Sequence, residues 1–323
     1  MKRRDFLKAG AVAASYLAAG RGAQGTEGET MATNQARLPR RAYGATNVQL
    51  SIIGFGGILV AGVEQDHANR VVAESIERGV DYFDVAPSYG DAEIKLGPAL
   101  EPYRKDAFLA CKTAFRDRAG GEKEFEQSLE RLRTGYFDLY QLHGIVSVEK
   151  DVDPAFAEDG VMAMITERKK AGQIRYVGFT AHTVEAAFAA MERYDFDSMV
   201  FPVNFACHFK GAFGLQALAK AQEKGVARMA IKAMARQQWP ADDPNRAKYK
   251  KCWYEPTIDP EEASMALRWT LSQPITAAIP PGEESLFRLA LDIASGPTEI
   301  TPHEEEKLET LARSLNPIFA LST

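Results

Sequence analysis

Apolar and polar positions alternate in blocks along most of this chain. Short, nearly continuous apolar runs lie at residues 52–55, 80–84, 108–112, 137–143, 174–179, 199–203, 226–231 and 275–279. After each run comes a segment, at 66–78, 92–100, 123–133, 161–171, 184–194, 215–224, 260–272 and 284–294, with helical patterning or room for it. Phe125, Leu129 and Leu132 show the three-to-four spacing, as do Val72 and Ile76. That period turns one helix face toward a core. Gly79, Gly135, Gly172 and Gly225 stand where a left-handed residue closes a helix.

Uninterrupted apolar strands alternating with amphipathic helices predict a parallel sheet covered on both faces. Eight such units predict a single-domain α/β fold, a (β/α)8 TIM barrel, in preference to an open doubly wound sheet. No GxGxxG follows the first run, which weighs against a Rossmann arrangement. A Gly-containing N-terminal hairpin is expected at 40–50 and an extra C-terminal helix at 302–315. Residues 236–258, rich in Pro, Asp, Trp and Tyr, predict an extended loop after the seventh strand. Loops of that length in a compact domain usually serve a site.

Composition leaves this picture intact. The chain has 323 residues, 46% hydrophobic and 26% charged, which suits a barrel of about 250 residues with extensions. A net charge of −5 argues against a nucleic-acid partner. Basic clusters at 37–41 and 248–251 read as solvated loops. Three widely spaced cysteines, Cys111, Cys207 and Cys252, offer no disulfide framework, with a Cys207–Cys252 bridge as the alternative. No CxxC or HxxxH spacing points to a metal or an iron–sulfur cluster.

Residues 1–37 break the pattern. Paired arginines in a basic start, Lys2-Arg3-Arg4-Asp5-Phe6-Leu7-Lys8, precede an Ala-rich, mildly apolar run at 9–19 and then a polar spacer. The run, of about eleven residues, is too short for a stable membrane span. The segment resembles a twin-arginine signal peptide. The resemblance implies the twin-arginine export machinery as a partner and a periplasmic or exported location. A disordered or amphipathic cytosolic leader is the alternative. Residues 38–323 are expected to form the barrel.

In such a barrel, reactive side chains gather at the C-terminal strand ends. Those ends carry Asp84 after the second strand, Lys112 after the third and His143 after the fourth, with Tyr89 in the loop after the second. Each also has a bland reading: a loop cap, a rim lysine, a satisfied core histidine, a packed aromatic. Four titratable groups on consecutive strands point instead to one site.

DVAPSYG with AEIKLG, then LACKT, then DLYQLHG, together with the helix Ser128-Leu129-Glu130-Arg131-Leu132, resemble the aldo/keto reductase superfamily. The likeness runs from Leu38 to Ala294. It implies an NAD(P)-dependent oxidoreductase that interconverts a carbonyl (aldehyde, ketone or sugar) and an alcohol, with a nicotinamide cofactor, NADP or NAD; export would call for that cofactor to be held tightly. Tyr89 would be the general acid/base. Lys112 would lower its pKa, Asp84 would hold Lys112, and His143 would orient the substrate oxygen. Cofactor contacts would come from Gly56, Gly57, Thr180, Asn204, Lys232, Pro280, Gly282 and Arg288. The chain departs from the family pattern at Ala181, Val200 and Ile231, and Glu283 and Glu284 would repel a 2′-phosphate that Arg288 could bind. Glu93 also matches a family acid. Two other readings follow: a non-catalytic nicotinamide-binding or regulatory barrel, and a sugar oxidoreductase or epimerase-type catalyst that recycles its bound cofactor internally. Trp239, Trp253 and Tyr254 could line a sugar or aryl pocket, or simply pack on the rim.

Overall fold

The computed structural model describes residues 37–321. Apart from Arg37, the expected export segment lies outside the described residues. A two-stranded antiparallel hairpin comes first, β1 (Arg40–Ala42) and β2 (Gln49–Ser51). Alternation then begins with β3 (Phe55–Gly56), α1 (Gln65–Glu77), β4 (Tyr82–Asp84), α2 (Ala92–Leu100), β5 (Phe108–Thr113), α3 (Arg118–Arg131) and β6 (Phe137–Ile145). It continues with α4 (Asp153–Ala155), α5 (Val161–Lys170), β7 (Ile174–Ala181), α6 (Val184–Arg193), β8 (Ser198–Pro202), α7 (Phe205–Phe209), α8 (Leu215–Glu223) and β9 (Ala227–Ile231). A small antiparallel ladder of β10 (Ala235–Gln237) and β11 (Glu255–Pro256) precedes α9 (Pro260–Ser272) and β12 (Ala277–Ile279). Helices α10 (Glu284–Ala294) and α11 (Pro302–Ser314) finish the chain.

The eight-stranded parallel sheet runs in the order β12-β9-β8-β7-β6-β5-β4-β3. Its two ends meet: Ile53 bridges Ala278, with Gly54 N donating to Ala278 O at 2.9 Å and Ala278 N to Ile52 O at 2.8 Å. The result is the expected (β/α)8 barrel. Alternate residues split between two cores, as period-2 strands require. Tyr82, Phe108, Ala110, Leu139, Val200, Met229, Ala277 and Ile279 cluster inside the barrel. Phe83, Leu109, Cys111, Tyr140, Val177 and Phe179 belong to the larger core beneath the helices.

The hairpin seals one end of the interior. Its Tyr43 is fully buried, with its ring 5.1 Å from that of Phe108 and 5.2 Å from that of Tyr176. With that end plugged, the opposite end, where the strands finish, is left to carry a cavity. Among the described residues, no helix is long and apolar enough to cross a membrane.

Three local expectations differ. Helix α3 starts at Arg118, ahead of 123, because Asp117 accepts from Gly120 N at 2.8 Å and caps it. Its left-handed closing residue is Arg133 (φ 51°), not Gly135, since Thr134 N already reaches Leu129 O at 3.1 Å. The segment 236–258 is not a plain loop; Gln237 and Glu255 pair across the small ladder. Cys111, Cys207 and Cys252 are all buried free thiols.

Candidate active site

Strand β4 turns Tyr82 and Asp84 into the barrel, and β5 and β6 set Lys112 opposite Gln141. Lys112 Nζ donates to Asp84 Oδ1 and, at 3.1 Å, to Val85 O. Asp84 Oδ2 accepts from Tyr82 OH at 3.0 Å and from Gln141 Nε2 at 2.9 Å. Lys112 is 2% exposed and Asp84 3%. A charge pair this deep is tolerable only when its remaining lone pairs are satisfied, which Tyr82 and Gln141 accomplish. Neither was singled out in the sequence, although both share strand parity with a site residue: Tyr82 with Asp84, Gln141 with His143.

Tyr89 sits in the turn after β4, where Gly90 takes φ +65° and Ala92 N donates to Tyr89 O at 3.2 Å. Its ring meets that of His143 edge-on, centroids 5.7 Å apart. Lys112 Nζ lies 5.2 Å from the Tyr89 centroid. His143 is fixed near the end of β6 by Arg116, whose Nη2 donates to His143 O at 2.7 Å. The four expected residues therefore meet on one wall.

Their electrostatics are uneven. Burial pushes the Tyr89 phenol above its ordinary value, and the opposing pull of the Lys112 ammonium does not win. Burial pulls Lys112 down, but Asp84 and Tyr89 outweigh it and hold the ammonium above the usual lysine range. Burial first, then Lys112 and His182, push His143 down to about 3, so its imidazole is neutral at ordinary pH.

All four line a cavity of about 320 Å³, near the lower end for small-molecule sites. Of the expected cofactor contacts, Gly56, Thr180, Lys232, Pro280 and Gly282 also line it. Gly57, Asn204 and Arg288 do not. Gly57 packs on Val85, which a Cβ would strike at 2.6 Å. Asn204 caps α7, its Oδ1 accepting from Cys207 N at 2.8 Å. Arg288 is tied to Glu74 and Glu284 on the surface, so it gives no reason to prefer NADP over NAD. Glu93 is buried and paired with Arg131 at 3.1 Å, a tie between α2 and α3.

Lys251, read from sequence as a solvated-loop residue, instead reaches the cavity, with Nζ donating to Leu59 O at 2.8 Å. His182, Ile58, Trp253 and Tyr254 complete much of the remaining wall. Helix α10 opens beside Gly282 with no side-chain cap at Glu283. Glu283 accepts from Lys251 N and Glu284 pairs with His67, which engages both carboxylates in protein contacts. An uncapped helix N-terminus with a lysine beside it fits a phosphate group. Thr180 Oγ1 accepts from Gly144 N at 2.6 Å, leaving its hydroxyl hydrogen to donate into the cavity. This donor set fits a nicotinamide dinucleotide.

The family model described as aldo/keto reductase matches residues 52–251. YqkF, an oxidoreductase of Bacillus subtilis, is 32% identical over 158 residues, 45% of this chain and 49% of that protein. L-galactose dehydrogenase of Arabidopsis thaliana is 28% identical over 173 residues, 49% of this chain and 53% of that protein. The chain thus spans about half the length of these curated relatives. Among solved structures, the holo form of aldo-keto reductase AKR11C1 from Bacillus halodurans aligns with a TM-score of 0.67. That alignment covers 87% of this chain and 99% of the other at 22% identity, and it supports the fold.

Proposed function

Because the chain belongs to the aldo/keto reductase family, we propose that it is an NAD(P)-dependent oxidoreductase interconverting a carbonyl compound and its alcohol. The observation that carries this reading is the meeting of Tyr89, His143 and the buried Lys112–Asp84 pair on one cavity wall. Thr180, Lys251 and the N-terminus of α10 would hold the dinucleotide. The nicotinamide, when bound, supplies or takes up the hydride.

The protein's own part is proton transfer and orientation. A phenol kept protonated by burial is in the form that donates to a developing alkoxide. The phenolate left behind is stabilised by the Lys112 ammonium, which the Asp84 carboxylate holds in place. A neutral His143 offers a ring N–H to the substrate oxygen and orients it beside Tyr89 without competing for the proton. In the oxidative direction the phenolate accepts the alcohol proton.

Turnover of aldehydes, ketones and sugars, followed by cofactor absorbance, tests this directly. No turnover across the panel, with the cofactor still bound, would favour the non-catalytic nicotinamide-binding barrel. The apolar Val200 and Ile231 on the cavity wall are what support that second reading. The segment 1–37 supports export by the twin-arginine route with the cofactor loaded beforehand. Heat-released extract of the purified protein that contains no nicotinamide would contradict the loading.

A further inference from the structure

Lys232 breaks a strand rule. Along β9, Ala227, Met229 and Ile231 face the barrel interior, so a continued strand would turn residue 232 outward toward the helices. Instead Lys232 adopts φ +68°, a left-handed backbone that costs an L residue free energy. Consequently Ile231 and Lys232 both line the cavity. Strained backbone of this kind persists where its surroundings hold it, and it clusters at functional sites.

Among the described residues, no carboxylate pairs with the ammonium thus delivered. Among the described lining residues the one carboxylate is Asp84, and Lys112 already occupies it. Lys232 Nζ lies instead 5.1 Å from the Tyr254 ring centroid and 5.4 Å from that of Trp253. Burial lowers Lys232 to about 8, with a small opposing contribution from Cys252. His182 lies within its field, is held neutral at a value of about 4 by burial and by Lys232, and packs on Phe319 with centroids 5.6 Å apart. A half-buried cation that shares the cavity wall with a neutral imidazole forms a receptor for a flat, two-oxygen anion.

We propose that Lys232 and His182, walled by Trp253 and Tyr254, form a subsite for a carboxylate on the carbonyl substrate, so that the preferred substrates are aldehyde or keto acids. The assignment rests on the oxidoreductase reading for the carbonyl and stands apart from it for the anion. Lys232 is a specificity residue here; the chemistry stays with Tyr89.

Paired substrates test it. For wild type, kcat/KM for 4-carboxybenzaldehyde exceeds that for its methyl ester at least tenfold, mainly through KM. Lys232→Met brings that ratio close to one, and Lys232→Arg retains most of it. A ratio unchanged in Lys232→Met overturns the subsite. Calorimetric titration with benzoate and with benzamide gives a readout that needs no turnover. Benzoate binding that depends on Lys232 supports the subsite even if no carbonyl is reduced, in which case the oxidoreductase reading alone fails. Lys232→Met that weakens the dinucleotide and leaves benzoate affinity unchanged assigns the lysine to a cofactor phosphate and overturns the proposal.

Discussion

Replacing Asp84 by Asn removes one charge and reverses one hydrogen bond at a buried polar point of the site. Three donors, Lys112 Nζ, Tyr82 OH and Gln141 Nε2, converge on the Asp84 carboxylate. An asparagine offers one oxygen and must turn its NH2 toward one of those donors. Lys112 is left as an uncompensated ammonium in a protein interior. Breaking a buried pair from one side costs about 3–5 kcal/mol. At roughly 2–4 °C per kcal/mol for a large domain, the melting midpoint should fall by roughly 6–20 °C. Calorimetry at pH 7 reads this. Adding Lys112→Met to Asp84→Asn removes the orphan charge and should recover at least half of the loss, with no recovery of activity. The pH dependence has a definite sign. In wild type, Lys112 is raised above its unfolded value, so its contribution is complete below the unfolded lysine pKa and is lost as pH climbs through the folded one. In Asp84→Asn the lysine falls below its unfolded value, the unfolded chain then binds more protons, and stability rises from pH 7 toward 10. A single variant melting within about 2 °C of wild type, or a double variant no more stable than the single, would refute this reasoning.

His143 and His182 are neutral when folded, with values of about 3 and about 4 against an ordinary 6.5, so acidification below pH 6.5 favours the unfolded chain. Urea titrations should show stability falling between pH 6.5 and 5 by at most about 1.4 kcal/mol per pH unit for each histidine, with a shallower slope in a His143→Asn/His182→Asn double variant. Gly97→Ala would place a Cβ 2.1 Å from Arg131 O and 2.9 Å from Leu132 Cα, backbone atoms that cannot step aside. It should cost roughly 1–3 kcal/mol or more in denaturant unfolding, with α2 displaced from α3. Thr180→Val strips Gly144 N of its acceptor at 2.6 Å and removes a hydroxyl from the cavity wall. It should raise KM for the dinucleotide and lower stability by about 1–3 kcal/mol.

The barrel was legible because its strands are buried on both faces and its helices on one, so hydrophobic period alone marks the units. Lys112, Asp84 and His143 were legible because strand ends define the reactive rim. The surrounding details depend on contacts that no local pattern encodes. Asp117 caps α3 by accepting from Gly120 N, and Gly121 allows α3 to approach Val161, whose Cγ2 a Cβ would meet at 2.3 Å. β10 and β11 are short and largely polar, and only their mutual pairing makes them strands. Lys251 sits in a segment that reads as surface, and a tertiary turn directs it into the cavity; Lys232 was expected there from its place after the seventh strand, but its left-handed backbone was not. Burial also outweighs Lys112 at Tyr89, where convergence of the strand ends suggested the opposite shift. The roles first given to Asn204 and Arg288 came from likeness of position; a helix cap and two surface carboxylates take those side chains instead.

The central claim is that Tyr89 is the proton donor of a carbonyl reduction. Single-turnover reduction by wild type and Tyr89→Phe, each preloaded with reduced cofactor, tests it most directly. Loss of the phenol proton should slow cofactor oxidation by about 10²-fold or more, with cofactor affinity within twofold of wild type. Equal single-turnover rates in the two proteins would contradict it.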